Sequence, residues 1–240
     1  LSNLFYISVH MKKNKTPKKI LLIGGSSKVG KSIINHIDKN NYKIYSTYNT
    51  KKINNKNILQ YKVDLSSKKN ISNFANLVND FDIIVLLSGV LKGKKLIQFK
   101  DEEIVNNFNI NFLSQIVLLK KLFKKQKKNC VLVAVSSISG RRGSFDPLYA
   151  AAKGAMISFI KSISKWEAPK IRCIGICPGV ILNTKMYKTF KKERLKLILS
   201  QNPNKEFINS DDLAKIVLDV SKSHWRHANG AIIDVNGGVF

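Results

Sequence analysis

The sequence predicts a single α/β domain in which about seven strands form a doubly wound parallel sheet with helices on both faces. Two observations predict it. Short apolar runs alternate with longer helical stretches from residue 19 to the end, the order in which strands and crossover helices follow one another. The short runs are apolar enough to be covered on both faces, the condition of a parallel sheet with right-handed crossovers. A chain of 240 residues with 44% apolar content can bury one such core, and neither an internal repeat nor a linker divides it.

The elements follow in order. "KKILLIG" reads as the first strand, "KVGKSIINHIDKN" as a helix and "YKIYSTY" as the second strand. "ILQYKVD" is the third strand, and Ser66 or Ser67 can cap the helix "KKNISNFANLVND" by accepting a free first-turn N–H. "DIIVLLSG" is the fourth strand, followed by a long helix "EEIVNNFNINFLSQIVLLKKLF" with Asp101 as its cap. "CVLVAVSS" is the fifth. Asp146 and Pro147 then open a helix as N-cap and first residue, where the missing proline N–H costs nothing. "IRCIGIC", a helix "DDLAKIVLDVSKS" capped by Ser210, and "GAIIDV" complete the order expected of a Rossmann-type domain. Residues 1–18 are expected to be a disordered N-terminal extension and residues 19–240 the domain. Met11 is a candidate start, and "LSNLFYISVH" lacks the preceding basic region of a signal peptide.

Composition excludes more than it assigns. The net charge of +27 raises nucleic acid and anionic membranes as partners. The cations, however, are scattered lysines with only five arginines, and AT-rich coding enriches Lys, Asn and Ile whatever the function. No specific nucleic-acid partner is expected. No apolar run reaches the ~18 residues of a membrane span. Cys130, Cys173 and Cys177 are too few for a disulfide framework and have no CxxC spacing, so they read as core residues in a reducing compartment, with no metal site. The expected location is the cytoplasm.

The first strand runs into "IGGSSKVGKSI", a glycine-rich turn before a helix, where backbone N–H groups and the helix N-terminus can receive a pyrophosphate. This segment resembles the TGxxxGxG loop of the short-chain dehydrogenase/reductase family, with Gly24, Lys28 and Gly30 at the glycine positions. Ile23 stands where threonine is usual and Lys28 where the middle glycine is usual. The resemblance makes Ser26 and Val29 further cofactor contacts. After the second strand comes "STYNTKK", with no carboxylate to bond both ribose hydroxyls, and with Asn49, Lys51 and Lys52 beside the place a 2′-phosphate would occupy. NADP (as NADPH) is therefore expected ahead of NAD. Asp64 and Leu65 resemble the adenine-contacting pair after the third strand; spacing alone reads Asp64 equally well as a helix cap. "LLSG", Leu86 to Gly89, stands in place of the family's NNAG: the glycine survives, and the asparagine that braces the sheet does not.

In "YAAAK", helical spacing puts Tyr149 and Lys153 on one face. An ammonium beside a phenol, joined by an oxidised nicotinamide, favours the phenolate and lowers a pKa that is ordinarily ~10. Ser137, in "SSISG" at the end of the fifth strand, can hold a carbonyl oxygen. The SxxG of 137–140 and the YxxxK of 149–153 resemble the family's active-site pattern in order and spacing. Asn111 matches its relay asparagine. "CPGVILNTKM" is similar to its PG segment, making Pro178, Gly179, Val180, Ile181 and Thr184 neighbours of the nicotinamide. The resemblance covers residues 19–240 and implies interconversion of a ketone and a secondary alcohol. Ser137 and Tyr149 would hold the carbonyl oxygen, Tyr149 acting as acid or base with Lys153 and Asn111 in support. The substrate is a small-molecule or carrier-bound carbonyl compound, with a 3-oxoacyl-carrier reductase as one candidate. Residues 187–207 are expected to cover it, and a homodimer or homotetramer is expected. A catalytically idle NADP-binding sensor or scaffold is the alternative.

Overall fold

A computed structural model describes residues 16–239. The expected N-terminal extension through residue 15, with Met11 and "LSNLFYISVH", lies outside the described residues. Seven strands form one sheet: β1 Lys18–Ile23, β2 Tyr42–Tyr48, β3 Ile58–Lys62, β4 Ile83–Leu86, β5 Cys130–Val135, β6 Ile171–Pro178 and β7 Ile232–Val235. Their order is β3-β2-β1-β4-β5-β6-β7, and every pair is parallel. The chain moves outward from β1 to β3, returns to β4 beside β1, and then moves outward the other way. This doubly wound order reverses between β1 and β4, where ligands of open α/β sheets bind at the carboxyl ends of the strands.

The helices are α1 Lys28–His36, α2 Lys68–Leu77, α3 Asp101–Phe108, α4 Ser114–Lys125, α5 Ser139–Arg142, α6 Pro147–Trp166, α7 Lys192–Ser200 and α8 Ser210–Val220. They cover both faces of the sheet, and two cores result. On one face, Val29, Ile33 and Ile34 of α1 and Leu213 and Val217 of α8 pack over Ile20, Leu22 and Val85. On the other, Phe74 of α2, Leu118 and Leu122 of α4, and Met156 and Ile160 of α6 pack over Leu21, Ile84 and Leu132. Burying each such side chain contributes roughly 1.5–3 kcal/mol, offset by the entropy of ordering the chain. Phe81, 1% exposed, meets Tyr45 edge-on at 5.2 Å and closes the end of that core.

Two helix starts differ from the sequence expectation by one residue, each for a visible reason. Asp101 is the first residue of α3 rather than its cap, because the Glu103 carboxylate reaches back to the Lys100 N–H at 3.2 Å. Ser210 is the first residue of α8, since Asn209 takes the capping position by accepting the Asp211 N–H at 3.0 Å and the Ser210 hydroxyl lies 3.1 Å from that of Ser32. The expected single helix after Asp101 is also interrupted. Residues Asn109–Leu113 form a π turn between α3 and α4, a distortion that often marks a functional site. Cys130, Cys173 and Cys177 are buried free thiols, and burial pushes each above its ordinary pKa, leaving them unreactive. Among the described residues no helix is long and apolar enough to cross a membrane.

Candidate active site

A cleft of about 970 Å³ lies along the carboxyl edge of the sheet, between the turn after β1 and the segments after β4, β5 and β6. The β1 turn shapes one end. Gly24 adopts φ +83°, a conformation that L side chains rarely take, and its N–H donates to Thr47 Oγ1 at 2.9 Å. Ser27 caps α1 by accepting the Gly30 N–H at 3.1 Å. A Cβ on Gly30 would stand 2.3 Å from the Gly25 carbonyl oxygen, and one on Gly25 would stand 2.3 Å from Ser46 Oγ. Gly30 is therefore needed for the helix to lie on the turn, and Gly25 for the turn to lie against β1 and β2. Gly25 was missed in sequence because the family pattern leaves its position open; the glycine doublet was the available signal. Ser26, Lys28 and Val29 line the cleft, with Lys28 exposed, whereas Gly30 sits behind the wall.

At the end of β2 the wall includes Thr47, Tyr48, Asn49 and Thr50 but stops short of Lys51. Lys51 and Lys52 follow directly on this wall and are exposed, and Lys28 and Lys31 of α1 line the cleft. Asp64 and Leu65 line it as well. Asp64 Oδ1 accepts both the N–H and the hydroxyl of Ser66 at 2.8 Å, which makes it a turn-forming acid while leaving it at the wall. Gly89 completes this side; a Cβ there would lie 3.3 Å from Asn111 Oδ1 and 3.4 Å from Lys153 Nζ.

Ser137, Tyr149 and Lys153 come together at the middle of the cleft. Asp146 explains how α6 is set there. It has no exposed surface; Oδ1 accepts the Tyr149 N–H at 3.0 Å, and Oδ2 accepts the N–H groups of Lys92 and Gly93, both at 2.9 Å. One carboxylate thus caps the helix and ties it to the loop across the cleft, a role that reading it as a cap did not reveal. Gly140 lets α5 lie on α6, since a Cβ there would meet the Lys153 carbonyl carbon at 2.6 Å. Ser136 donates its hydroxyl to the Lys153 carbonyl oxygen at 2.8 Å.

Tyr149 is 5% exposed and Lys153 is 3% exposed. Burial raises the phenol to about 12, against a downward pull from the hydrogen bond with the Ser137 side chain, and lowers the ammonium to about 8. The protein's own groups therefore raise the tyrosine; the lowering expected from sequence was that of the ammonium together with an oxidised nicotinamide. The physical reason is distance and burial: Lys153 Nζ lies 5.8 Å from the ring centroid and donates instead to the Val135 carbonyl at 3.0 Å. Asn111 is fully buried behind this group and does not line the cleft; its Oδ1 accepts the Val90 N–H at 2.8 Å and its Nδ2 donates to the Val90 carbonyl at 2.9 Å.

The remaining wall comes after β6. Pro178 accepts the Ile138 N–H at 3.0 Å, and Gly179 donates to Val235 at 2.9 Å, so this segment is held between β5 and β7. Val180 and Thr184 line the cleft, and Thr184 Oγ1 donates to the Ile181 carbonyl at 3.0 Å. Residues beyond it, with α7, supply Phe190, Leu197 and Ile198, and Arg194 stacks over the Phe145 ring at 4.8 Å.

A doubly wound sheet with a glycine turn at the switch point of its carboxyl edge is the arrangement of the dinucleotide-binding class. The short chain dehydrogenase family model matches residues 18–195, and the chain belongs to that family. It is 29% identical to 3-oxoacyl-[acyl-carrier-protein] reductase FabG of Buchnera aphidicola subsp. Baizongia pistaciae, over 94% of this chain and 99% of that one. It is 28% identical to the uncharacterized oxidoreductase YmfI of Bacillus subtilis, over 92% and 98%. A short chain dehydrogenase family protein from Francisella tularensis superposes with a TM-score of 0.85 at 21% identity, covering 93% of this chain and 99% of that chain. Enzymes of this family use NAD(P).

Proposed function

We propose that the protein is an NADPH-dependent carbonyl reductase that converts a 3-oxoacyl thioester to the 3-hydroxyacyl form. The observation that carries the reading is the buried Ser137, Tyr149 and Lys153 group in the wall of one cleft with the glycine turn. The turn fits a dinucleotide: Gly24 and Gly30 leave backbone where a side chain would stand, and α1 directs its N-terminus at the cleft. Gly24, Ser26, Lys28 and Val29 would hold the pyrophosphate, Asn49 and Asp64 with Leu65 the adenosine half, and Gly89, Pro178, Gly179, Val180 and Thr184 the nicotinamide half. Lys153 would also hold the ribose. Bound there, the cofactor supplies the hydride and, when oxidised, a positive charge.

The chain's own groups do the rest. Ser137 and Tyr149 hold the carbonyl oxygen, and Tyr149 gives it a proton as negative charge develops. Lys153 keeps a cation on the same helix face, and Asn111 fixes the segment after β4 against which that cation lies. NADPH is favoured over NADH because the cleft wall at the end of β2 carries no carboxylate, while Lys28 and Lys31 on α1 supply positive charge. The 3-oxoacyl class is supported by the name of the 29% identical relative and by an apolar substrate end at Phe145, Phe190, Leu197 and Ile198.

Titration of the purified protein with NADPH and with NADH, followed by nicotinamide fluorescence, tests the cofactor assignment. NADPH is expected to bind at least about tenfold more tightly, the equivalent of ~1.4 kcal/mol. Equal affinity, or a preference for NADH, would overturn the role given to the lysines of α1.

A further inference from the structure

The segment after β4 opens on Leu87, whose side chain offers no hydrogen bond to the loop that follows. Its polar backbone is met from the helix side instead. Asn111 binds both backbone groups of Val90. One turn further on, Gln115 is 1% exposed, and its Nε2 donates to the Ser88 carbonyl at 3.3 Å, to Ile110 at 3.0 Å and to Asn111 at 3.1 Å. The Ser88 carbonyl is also within 3.5 Å of the Lys153 ammonium, whose nearer acceptor is Val135. One turn before Asn111 lies Asn107, 1% exposed, whose Oδ1 accepts from Asn111 Nδ2 at 2.8 Å. Three buried amides thus run along one face of the α3 to α4 stretch, through the π turn, and end on the carbonyl shared with the lysine.

We propose that Gln115 is a positioning residue for Lys153: it holds the Ser88 carbonyl, and so sets how strongly that carbonyl holds the ammonium. The kinetic consequence rests on the reductase reading; the coupling between Gln115 and Lys153 does not. A peptide carbonyl with two donors divides its attraction between them. With Gln115 gone it serves the ammonium alone, which stabilises the charged form of Lys153. The groups facing Lys153 are Tyr149 on its own helix, Cys177 on β6, the Val135 carbonyl on β5, the Ser88 carbonyl after β4, and Asn111 and Gln115 from the helix stretch beyond. Of these, only Gln115 shares an acceptor with it among the described residues.

The test is an NMR titration of 13Cε-labelled lysine in the full chain, with the Lys153 signal assigned by its loss in Lys153→Arg. In Gln115→Met, similar in size but without a donor, the Lys153 midpoint is expected to rise by about half a unit, a fraction of one charged hydrogen bond, because the 3.5 Å contact is strengthened rather than formed. A purely structural role would lower the melting temperature and leave the midpoint in place, and an unchanged or lowered midpoint overturns the proposal. If Gln115→Met does not fold, Gln115→Leu, which also lacks a donor, decides in the same titration: a raised Lys153 midpoint supports the proposal and an unchanged or lowered one overturns it. Failure of the wild type to reduce any 3-oxoacyl thioester would count against the proposed reaction alone, since the titration needs no turnover.

Discussion

Tyr149→Phe is expected to reduce turnover by about 10²–10⁴-fold or more, the contribution of a positioned proton donor, while NADPH affinity changes by less than about threefold. The ring stays, and with it the packing of a side chain that is 5% exposed. What leaves is one hydroxyl, its hydrogen bond with Ser137 and the proton it carries. The loss of that bond costs about 1 kcal/mol of stability, so the variant should fold and bind cofactor. Steady-state kinetics with a 3-oxoacyl thioester, beside a fluorescence titration with NADPH, separate the two quantities. Activity within tenfold of wild type would remove Tyr149 as the acid. Equal loss of cofactor binding would assign it a structural role instead.

Gly30→Val is expected to weaken NADPH binding by about 10²-fold or more, with little dependence on substrate. The new Cβ would lie 2.3 Å from the Gly25 carbonyl oxygen and 2.5 Å from its Cα, and these are backbone atoms that cannot rotate away. The helix must then lift from the turn, at roughly the 1–3 kcal/mol that overpacking costs, and the N–H groups at its start leave their place. Ser27→Ala is the control. It removes the cap on Gly30 N–H, costs about 1 kcal/mol of helix stability and leaves the turn seated, so cofactor affinity should fall much less. Similar affinities for the two variants would mean that the turn does not shape the nucleotide site.

The parts of this molecule that sequence reading reached are those where one residue or one short period carries the information. Strand runs such as "KKILLIG" contain β1, Lys18–Ile23, because its Ile20–Ile23 stretch is buried on both faces and must be apolar. Asp146 with Pro147 opens α6 as expected, since capping is a local contact. The bracing of the 88–90 segment was out of reach: Gln115 lies 27 residues from Ser88, and a glutamine within a helix carries no mark of the carbonyl it will meet. The same holds for the Asp146 carboxylate, whose partners at Lys92 and Gly93 are more than 50 positions away. The weight of the lysines after β2 was hard to read for the opposite reason. In a chain with a net charge of +27, cations adjacent in sequence to a site are common, and only the fold shows that the cleft wall ends at Thr50. The balance at the tyrosine was not legible either: spacing brings Lys153 to the same helix face without showing how far burial opposes its charge.

The most direct measurement is the consumption of NADPH by the wild-type chain in the presence of an acetoacetyl thioester, with the product identified by mass. The account expects NADPH oxidation that depends on the thioester and yields the 3-hydroxyacyl compound in equal amount. NADPH binding without reduction of this or any other ketone would contradict it, and would leave the Ser137, Tyr149 and Lys153 group without the chemistry assigned to it.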